Sequence, residues 1–185
     1  MSTGEAGDAA GPAFRQQVVA MLPRLRRFAR GLTGGSAADA DDLVQIAVMR
    51  AIERAGQWVV GTRLDSWLFR IVHNAWIDEV RSRKVREADP DADFDRMVGD
   101  HGEPRVEASL TLEAVRKATA KLPEEQRAVL MLVCVEGLSY RDAADSLGVP
   151  IGTVMSRLAR ARAALAARLG GARPGAAGGN VIKLG

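Results

Sequence analysis

Residues 137–169 constrain the fold of this chain more than any other part of the sequence. They read GLSYRDAADSLGVPIGTVMSRLARARAALAARL. Ser139 and Asp142 have the spacing of a helix N-cap, and Gly148 permits the positive φ of a tight turn. A second helix is predicted after the turn, from residue 151 to about residue 169. Two helices joined in this way within so short a stretch are typical of a helix-turn-helix.

The second helix of this pair has an apolar face and a polar face. Its apolar side chains recur every three or four residues, at Val154, Leu158, Ala161, Leu165 and Leu169. Its polar side chains are Thr153, Ser156 and Arg160, with Arg157 at the edge. Such a helix is suited to a DNA major groove, where its first turns read base edges and its arginines bind phosphates. An ordinary helical hairpin with a solvated basic face is the alternative.

The rest of the chain is predicted to be helical as well. Ala, Leu, Arg, Glu and Gln dominate the composition, aromatic residues make up only 4%, and no segment has a convincing strand pattern. Pro23 is expected to kink or divide the first helix, and Thr62 with Asp65 to cap the third. The sequence thus predicts an all-α protein. Its earlier helices are expected at residues 14–32, 39–55, 63–86, 106–121 and 123–136.

Charge divides the chain into blocks. Residues 14–86 carry a net charge of +6 and residues 87–113 a net charge of −7, and residues 146–185 contain no acid at all. The acidic block includes Pro90 and Pro104, which favour a linker over a helix. We therefore expect two small helical domains that meet a polyanion, joined by a flexible acidic linker. The expected division is a disordered N-terminus at 1–13, domains at 14–87 and 106–169, the linker at 88–105 and a flexible tail at 170–185.

The helix predicted at 63–86 carries a second basic face. An aromatic ring among guanidinium groups, with an amide nearby, suits unstacked bases and a phosphate backbone. Trp67 could instead contribute to packing, and Trp76 is expected in the core. The face comprises Arg63, Trp67, Arg70, Asn74, Ile77 and Arg81, followed by Arg83, Lys84 and Arg86 at the helix end.

The preceding helix has a face of a different character. Acidic side chains alternate there with apolar ones, which indicates a protein partner rather than DNA. A solvated surface with no partner is the alternative. The residues are Asp42, Gln45, Met49 and Glu53, with Ile52 beside them.

Several classes of function are disfavoured. The single cysteine, Cys134, lies among apolar residues and is expected to be a buried, reduced thiol, which fits a cytoplasmic protein. The two histidines, His73 and His101, form no metal-ligand pattern, and the phosphate-loop, dinucleotide and serine-nucleophile motifs are absent. We expect no metal, no cofactor and no enzymatic activity. No apolar stretch approaches the roughly 20 residues of a membrane span, and the N-terminus does not read as a signal peptide.

Three motifs, in this order, carry a resemblance to a known family. They are DADDLVQIAVMRAIE, GTRLDSWLFRIVHNAWIDEVRSR and LPEEQRAVLMLVCVEGLSYRDAADSLGVPIGTVMSRLARAR. Together they resemble the extracytoplasmic-function sigma factors over residues 14–87 and 108–166. The resemblance implies a subunit that binds core RNA polymerase and directs it to promoter DNA, without catalysis of its own. It also implies control by an anti-sigma factor that covers the two domains.

The resemblance and the exposed faces together define three sets of candidate site residues. The set expected to bind core polymerase is Asp41, Asp42, Leu43, Gln45, Met49 and Glu53. The set expected to melt and read the −10 element is Trp58, Arg63, Trp67, Arg70, Asn74, Asp78, Arg81 and Lys84. The set expected to read the −35 element is Arg141, Thr153, Ser156, Arg157 and Arg160.

Two other classes of protein stay open at this point. A sigma-like mimic would occupy a sigma regulator without binding DNA, and would need no basic recognition helix. A conventional helix-turn-helix regulator would not need the first domain. The acidic linker also has two readings: a solvated tether, or, as the resemblance implies, a peptide that stands in for RNA in the basic channels of the polymerase.

Overall fold

The structure is a computed structural model that describes residues 10–87 and 108–169, and these residues form seven α-helices and no strand. The all-α prediction is confirmed. The predicted linker, the predicted tail and most of the predicted disordered N-terminus lie outside the described residues. The helices are α1 (Pro12–Leu32), α2 (Ala37–Glu53), α3 (Leu64–Glu87), α4 (Ala108–Ala120), α5 (Glu124–Leu130), α6 (Tyr140–Leu147) and α7 (Ile151–Arg168).

The first domain packs α1, α2 and α3 against one another. Phe28 of α1 and Phe69 of α3 are fully buried and meet edge to face, with ring centroids 5.2 Å apart. Trp76 lies in this core, as predicted. The apolar stripe predicted on α1 is buried at Phe14, Val18, Leu25, Phe28, Ala29 and Leu32.

Helix α1 starts earlier than predicted, and the alternative in which Pro23 divides it was wrong. The helix begins at Pro12, inside the stretch expected to be disordered, since a proline at the first helical position needs no N–H donor. Pro23 does not divide it, and α1 runs through to Leu32. Val18 and Leu25 are buried on either side of Pro23, so packing of the whole stripe outweighs the missing hydrogen bond.

Helix caps account for several of the boundaries. The Ser36 hydroxyl accepts the backbone N–H of Asp39 and starts α2 two residues before the predicted position. The predicted cap on α6 is confirmed, because the Ser139 hydroxyl accepts the N–H of Asp142 at 3.1 Å. The cap predicted at Thr62 was wrong: its hydroxyl donates to the carbonyl of Val59, and α3 begins at Leu64.

The helix-turn-helix of the second domain is confirmed. Gly148 ends α6 in the left-handed region with φ +64°, and α7 follows at Ile151. Val154 and Leu158 of α7 are buried against the core, as the apolar pattern predicted. The α5 segment differs from the prediction, because after Leu130 it continues as a π-helical turn at Met131–Val135 instead of an α-helix.

The two domains share one hydrophobic core. Helix α3 packs on α6 and α1 packs on α5, so buried residues of both domains form a single cluster. Gly31 of α1 lies so close to Met131 that a Cβ at this position would come within 2.5 Å of the Met131 Cγ. The sequence predicted no such contact between the domains.

Two glycines of the helix-turn-helix should respond to alanine in opposite directions. Gly148→Ala forces a side chain into the left-handed region and should lower the free energy of unfolding by about 1–2 kcal/mol. Gly152 is helical and has open space around its Cβ position, so Gly152→Ala should raise that free energy by up to about 1 kcal/mol. Urea unfolding of both variants measures the difference, and equal effects would contradict the turn geometry.

Candidate nucleic-acid interface

The polar face of α7 is built as the sequence predicted around Arg160. Ser156 donates to the carbonyl of Thr153 and accepts from Nη2 of Arg160 at 3.3 Å, which holds the guanidinium along the exposed face. Arg141 of α6 is also exposed, whereas Thr153 is half-buried. This face therefore offers a guanidinium and hydroxyl groups on a helix with no acid.

Arg157 differs from Arg160. Only 20% of its side chain is exposed, and its Nη2 lies 2.6 Å from Oε2 of Glu125 on α5. It also approaches His73 of α3, in the first domain. Burial and the Arg157 charge together lower the pKa of His73 to about 4. Arg157 is thus held by Glu125, and its charge acts on a histidine of the first domain.

The predicted basic face of α3 is exposed over most of its length. Arg70, Asn74, Arg81 and Lys84 face the solvent. Asp78 is exposed too, but it is engaged by Nη1 of Arg50 on α2 at 2.9 Å. These side chains can reach a ligand that lies along the helix.

Two arginines of α2 and its end were not predicted for this face. Arg50 and Arg54 join α3 in lining a shallow polar depression, with Asn74, Ile77, Asp78 and Arg81. The sequence analysis assigned α2 to a protein partner on the strength of another side of the helix. The spacing of four residues between the two arginines was the signal for a separate basic side.

The aromatic members of the −10 set mainly serve packing. Trp58 and Trp67 are half-buried, and their rings lie 5.7 Å and 6.2 Å from the ring of Phe14. The packing alternative for Trp67 is therefore favoured. The loop between Trp58 and α3, which the resemblance assigns to the −10 element, presents two apolar side chains to the solvent, because Val59 and Val60 are 67% and 84% exposed.

Arg63 links the two domains. Its guanidinium bonds both oxygens of Asp65, at 3.1 and 2.8 Å, and Oδ2 of Asp142 on α6 at 2.6 Å. The Arg63 hydrogen bond lowers the pKa of Asp65, while partial burial acts in the opposite sense. The charge of Arg63 is thus largely compensated by carboxylates in this arrangement.

The side of α2 predicted to meet a protein is exposed, and we call it the α2 surface. Met49 is 55% exposed, and Ile46 and Ile52 add further apolar area at 42% and 39%. The α2 surface comprises Asp42, Gln45, Ile46, Met49, Ile52 and Glu53. Two residues of the predicted polymerase set stand apart from it. Asp41 pairs with Arg26, and Leu43 is only 4% exposed because it packs into the core.

Cys134 was expected to be buried, and that prediction was wrong. A π-helical turn inserts an extra residue per turn, which rotates the side chains that follow it. Leu132 consequently stays in the core, Cys134 is exposed, and Glu136 turns inward. The Cys134 sulfur accepts a hydrogen bond from Arg162 at 3.6 Å, and this bond raises the pKa of Arg162.

The described residues contain neither a membrane-spanning helix nor a cluster of metal ligands. Within residues 10–87 and 108–169, none of the helices is both long and apolar enough to cross a bilayer. The same residues contain no group of three or more His, Cys, Asp or Glu side chains placed to hold a metal ion.

Two family models match the chain. The model described as Sigma-70 region 2 matches residues 18–86, and the model described as Sigma-70, region 4 matches residues 112–165. These spans cover the helices α1–α3 and α4–α7 respectively, apart from their ends.

Curated relatives and solved structures agree with the family models. The chain is 38% identical over 156 residues to ECF RNA polymerase sigma factor EcfG of Rhodopseudomonas palustris, with 84% of each chain covered. It is 43% identical over 147 residues to SigM of Mycobacterium tuberculosis, covering 80% of this chain and 72% of that one. The sigma factor RpoE of Bartonella quintana, solved in complex with the anti-sigma factor NepR, matches with a TM-score of 0.75 and 36% identity. That match covers 86% of this chain and 98% of the solved one.

The surroundings of His73 predict a pH-dependent stability. The folded imidazole stays neutral down to about pH 4, whereas the imidazole of the unfolded chain takes up a proton near its ordinary pKa of 6.5. The free energy of unfolding should therefore decrease as the pH is lowered from about 6.5 to about 4. The contribution of this group is up to about 1.4 kcal/mol per pH unit. His73→Gln should lose less stability than the parent chain between pH 7 and 4.5 in urea unfolding. Equal losses in the two chains would contradict the burial of His73 beside Arg157.

Proposed function

This chain belongs to the extracytoplasmic-function sigma factors, and on that basis we propose how its surfaces divide the work of transcription initiation. The α2 surface binds core RNA polymerase, the exposed face of α3 binds the −10 element, and the polar face of α7 binds the −35 element. The protein acts in the cytoplasm as a non-catalytic specificity subunit. The observation that carries the proposal is that both domains of one chain have a basic face, and that the first domain also has the acidic and apolar α2 surface.

Both alternative classes fit these observations less well. A mimic that only occupies a sigma regulator has no need of the acid-free α7 with Arg160 along its exposed face. A conventional helix-turn-helix regulator has no need of the first domain or of the α2 surface. The region 2 match over residues 18–86 also argues against a conventional regulator.

The α2 surface suits a protein partner because exposed apolar side chains lie between acids. Met49, Ile46 and Ile52 supply apolar area that a partner could bury, and Asp42 and Glu53 supply negative charge toward a basic partner surface. Leu43 and Asp41 lie next to this surface. Leu43 packs α2 into the core, and Asp41 forms an ion pair with Arg26 of α1.

Asp42→Arg should weaken association with core polymerase. Asp42 is exposed, so reversing its charge should leave the melting temperature of the chain unchanged within a degree or two. The matched control is Asp145→Arg, which makes the same charge change at an exposed position on α6. Pull-down of core polymerase in the absence of DNA should show a loss for Asp42→Arg only. Equal binding by both variants would remove the α2 surface as the polymerase contact.

The polar face of α7 suits the major groove because its groups are short, exposed and free of acids. Arg160 can make bidentate contacts to a guanine, or contact a phosphate, and Ser156 can accept or donate beside it. Arg157 can join this face only after it leaves Glu125. Exposed Arg141 of α6 can contact the phosphate backbone, and half-buried Thr153 can offer its hydroxyl near the start of α7.

Arg160→Ala should weaken promoter binding by holoenzyme by about 1–3 kcal/mol if Arg160 contacts a base. Arg162→Ala is the matched control, because it removes the same charge from the same helix on the side that contacts Cys134. The promoter is first identified by sequencing the DNA fragments that the protein binds in cells. A labelled duplex of that sequence then serves as the probe. Fluorescence anisotropy should separate the two variants, and equal losses would assign Arg160 to general charge attraction only.

The face of α3 suits single-stranded DNA, since an amide and several guanidinium groups are exposed along one helix. Asn74 can hydrogen-bond an unstacked base, and Arg70, Arg81 and Lys84 can follow the phosphates. We extend the −10 set by Arg50 and Arg54, because they line the same depression. Trp58 and Trp67 shape the first domain beneath this face through Phe14.

An anti-sigma factor is the remaining proposed partner. Two similar solved structures contain a second protein: RpoE is in complex with the anti-sigma factor NepR, and CnrH is in complex with the cytosolic domain of CnrY. The CnrH match has a TM-score of 0.64 and 30% identity over 87% of this chain. We expect regulation of this chain by a separate protein of that class.

A further inference from the structure

A carboxylate of the second domain is buried against arginines of the first. The Glu136 side chain has no solvent exposure. Its two oxygens accept from Nε of Arg24 at 3.0 Å and from Nε and Nη2 of Arg27 at 2.6 and 3.0 Å. Nη2 of Arg24 also donates to the backbone carbonyl of Glu136 at 3.1 Å. We call this set the Glu136 clasp.

The clasp joins domains that are distant in sequence. Both arginines lie on α1, more than 100 residues from Glu136. A buried carboxylate is costly unless it is paired and hydrogen-bonded, and here the side-chain donors come from the other domain. The hydrogen bond to Glu136 raises the pKa of Arg27, as expected for a cation held by an anion. The hydrogen bonds of the clasp can therefore form only while the two domains are in contact.

Other contacts close the same interface. The shared apolar core runs across it, and Met131 fills the space beside Gly31. Helix α6, the first helix of the helix-turn-helix, packs on α3. Arg63 beside α3 is bonded to Asp142 of α6, and Arg157 is largely covered near His73. Groups of both proposed DNA-binding sets are thus engaged inside the protein, whereas the α2 surface stays exposed.

The closed arrangement is too small to span a promoter. Elements named for positions −10 and −35 lie about 25 base pairs apart, which is roughly 85 Å along a duplex at 3.4 Å per base pair. A compact body of the size described here measures only about 40 Å across. The two domains must therefore separate before both elements are bound at once.

We propose that the Glu136 clasp is an autoinhibitory contact that holds the free protein closed and must break for promoter binding. The proposal rests on the proposed function, because it takes the −10 and −35 roles of the two domains as given. It adds a specific device: a buried carboxylate in the second domain that two arginines of α1 recognise. Polymerase can meet the exposed α2 surface before the clasp opens.

The distance between the domains tests the clasp directly. In a full chain with Cys134→Ser, spin labels at Val19→Cys and Ala163→Cys, both exposed positions, report the separation by double electron–electron resonance. Glu136→Gln removes the charge and keeps the shape, and should raise the open population roughly tenfold. Its matched control is Glu113→Gln, which removes an acid paired with Lys117 inside α4.

A second variant opens the same interface without a change of charge. Gly31→Leu places a side chain where Met131 lies and should shift the distances as Glu136→Gln does. Gly31 is helical, so the added side chain does not oppose the folding of α1. Urea unfolding and circular dichroism confirm that each variant is folded before the distances are compared.

Promoter binding supplies the second readout. Free Glu136→Gln and Gly31→Leu chains should bind a duplex with both elements roughly tenfold more tightly than the parent, in proportion to the open population. Unchanged distances in both variants would overturn the clasp, and opening without tighter binding would overturn its autoinhibitory role. Failure of parent holoenzyme to bind the promoter would instead overturn the proposed function, and the distances, measured without DNA or polymerase, would still decide the clasp.

Discussion

The carboxylate of Glu136 is buried where the two domains of this protein meet, and it is paired there with arginines of the other domain. Removing the partners of a buried charge costs roughly 3–5 kcal/mol, which is a large share of the stability of a small domain. Glu136 reaches Arg24 and Arg27 because the π-helical turn before it rotates its side chain inward. Arg24 in turn lies over the ring of Phe69 and contacts Asp65, so the clasp extends into the first core. Local backbone geometry in one domain thus places a charge where the other domain supplies its partners.

The parts of the fold that depend on local chemistry could be predicted from the sequence. Ser139 capping α6 and Gly148 ending it follow from side-chain hydrogen bonding and from the absence of a Cβ. The apolar stripes of α1 and α7 follow from their helical period. The exposed groups of the candidate sites, such as Arg160 and Asp42, follow from the same period, because the polar side of an amphipathic helix faces away from the core.

The remaining features depend on contacts between distant segments. A π-helical turn has no simple residue pattern, so the exposure of Cys134 and the burial of Glu136 could not be read from periodicity. Pro23 stays inside α1 because of packing on both sides of it. Arg157 lies on the edge of its helix, as predicted, but its pairing with Glu125 of α5 and its low exposure could not be read from the helical period. Such outcomes require knowledge of what packs against each segment.

The opening of the domains that we propose agrees with the distribution of charge in this chain. The α2 surface keeps its acids and apolar groups exposed, whereas arginines of the DNA-binding sets find carboxylates within the protein. Each of these carboxylates occupies a cation that phosphate could otherwise bind, so under the proposed roles DNA would compete with Asp142 for Arg63 and with Glu125 for Arg157. Phosphates carry negative charge at a density that single carboxylates do not match. Under our proposal, promoter phosphates displace the ion pairs of Arg63 and Arg157, and the more deeply buried Glu136 clasp is the contact that opposes the opening of the domains.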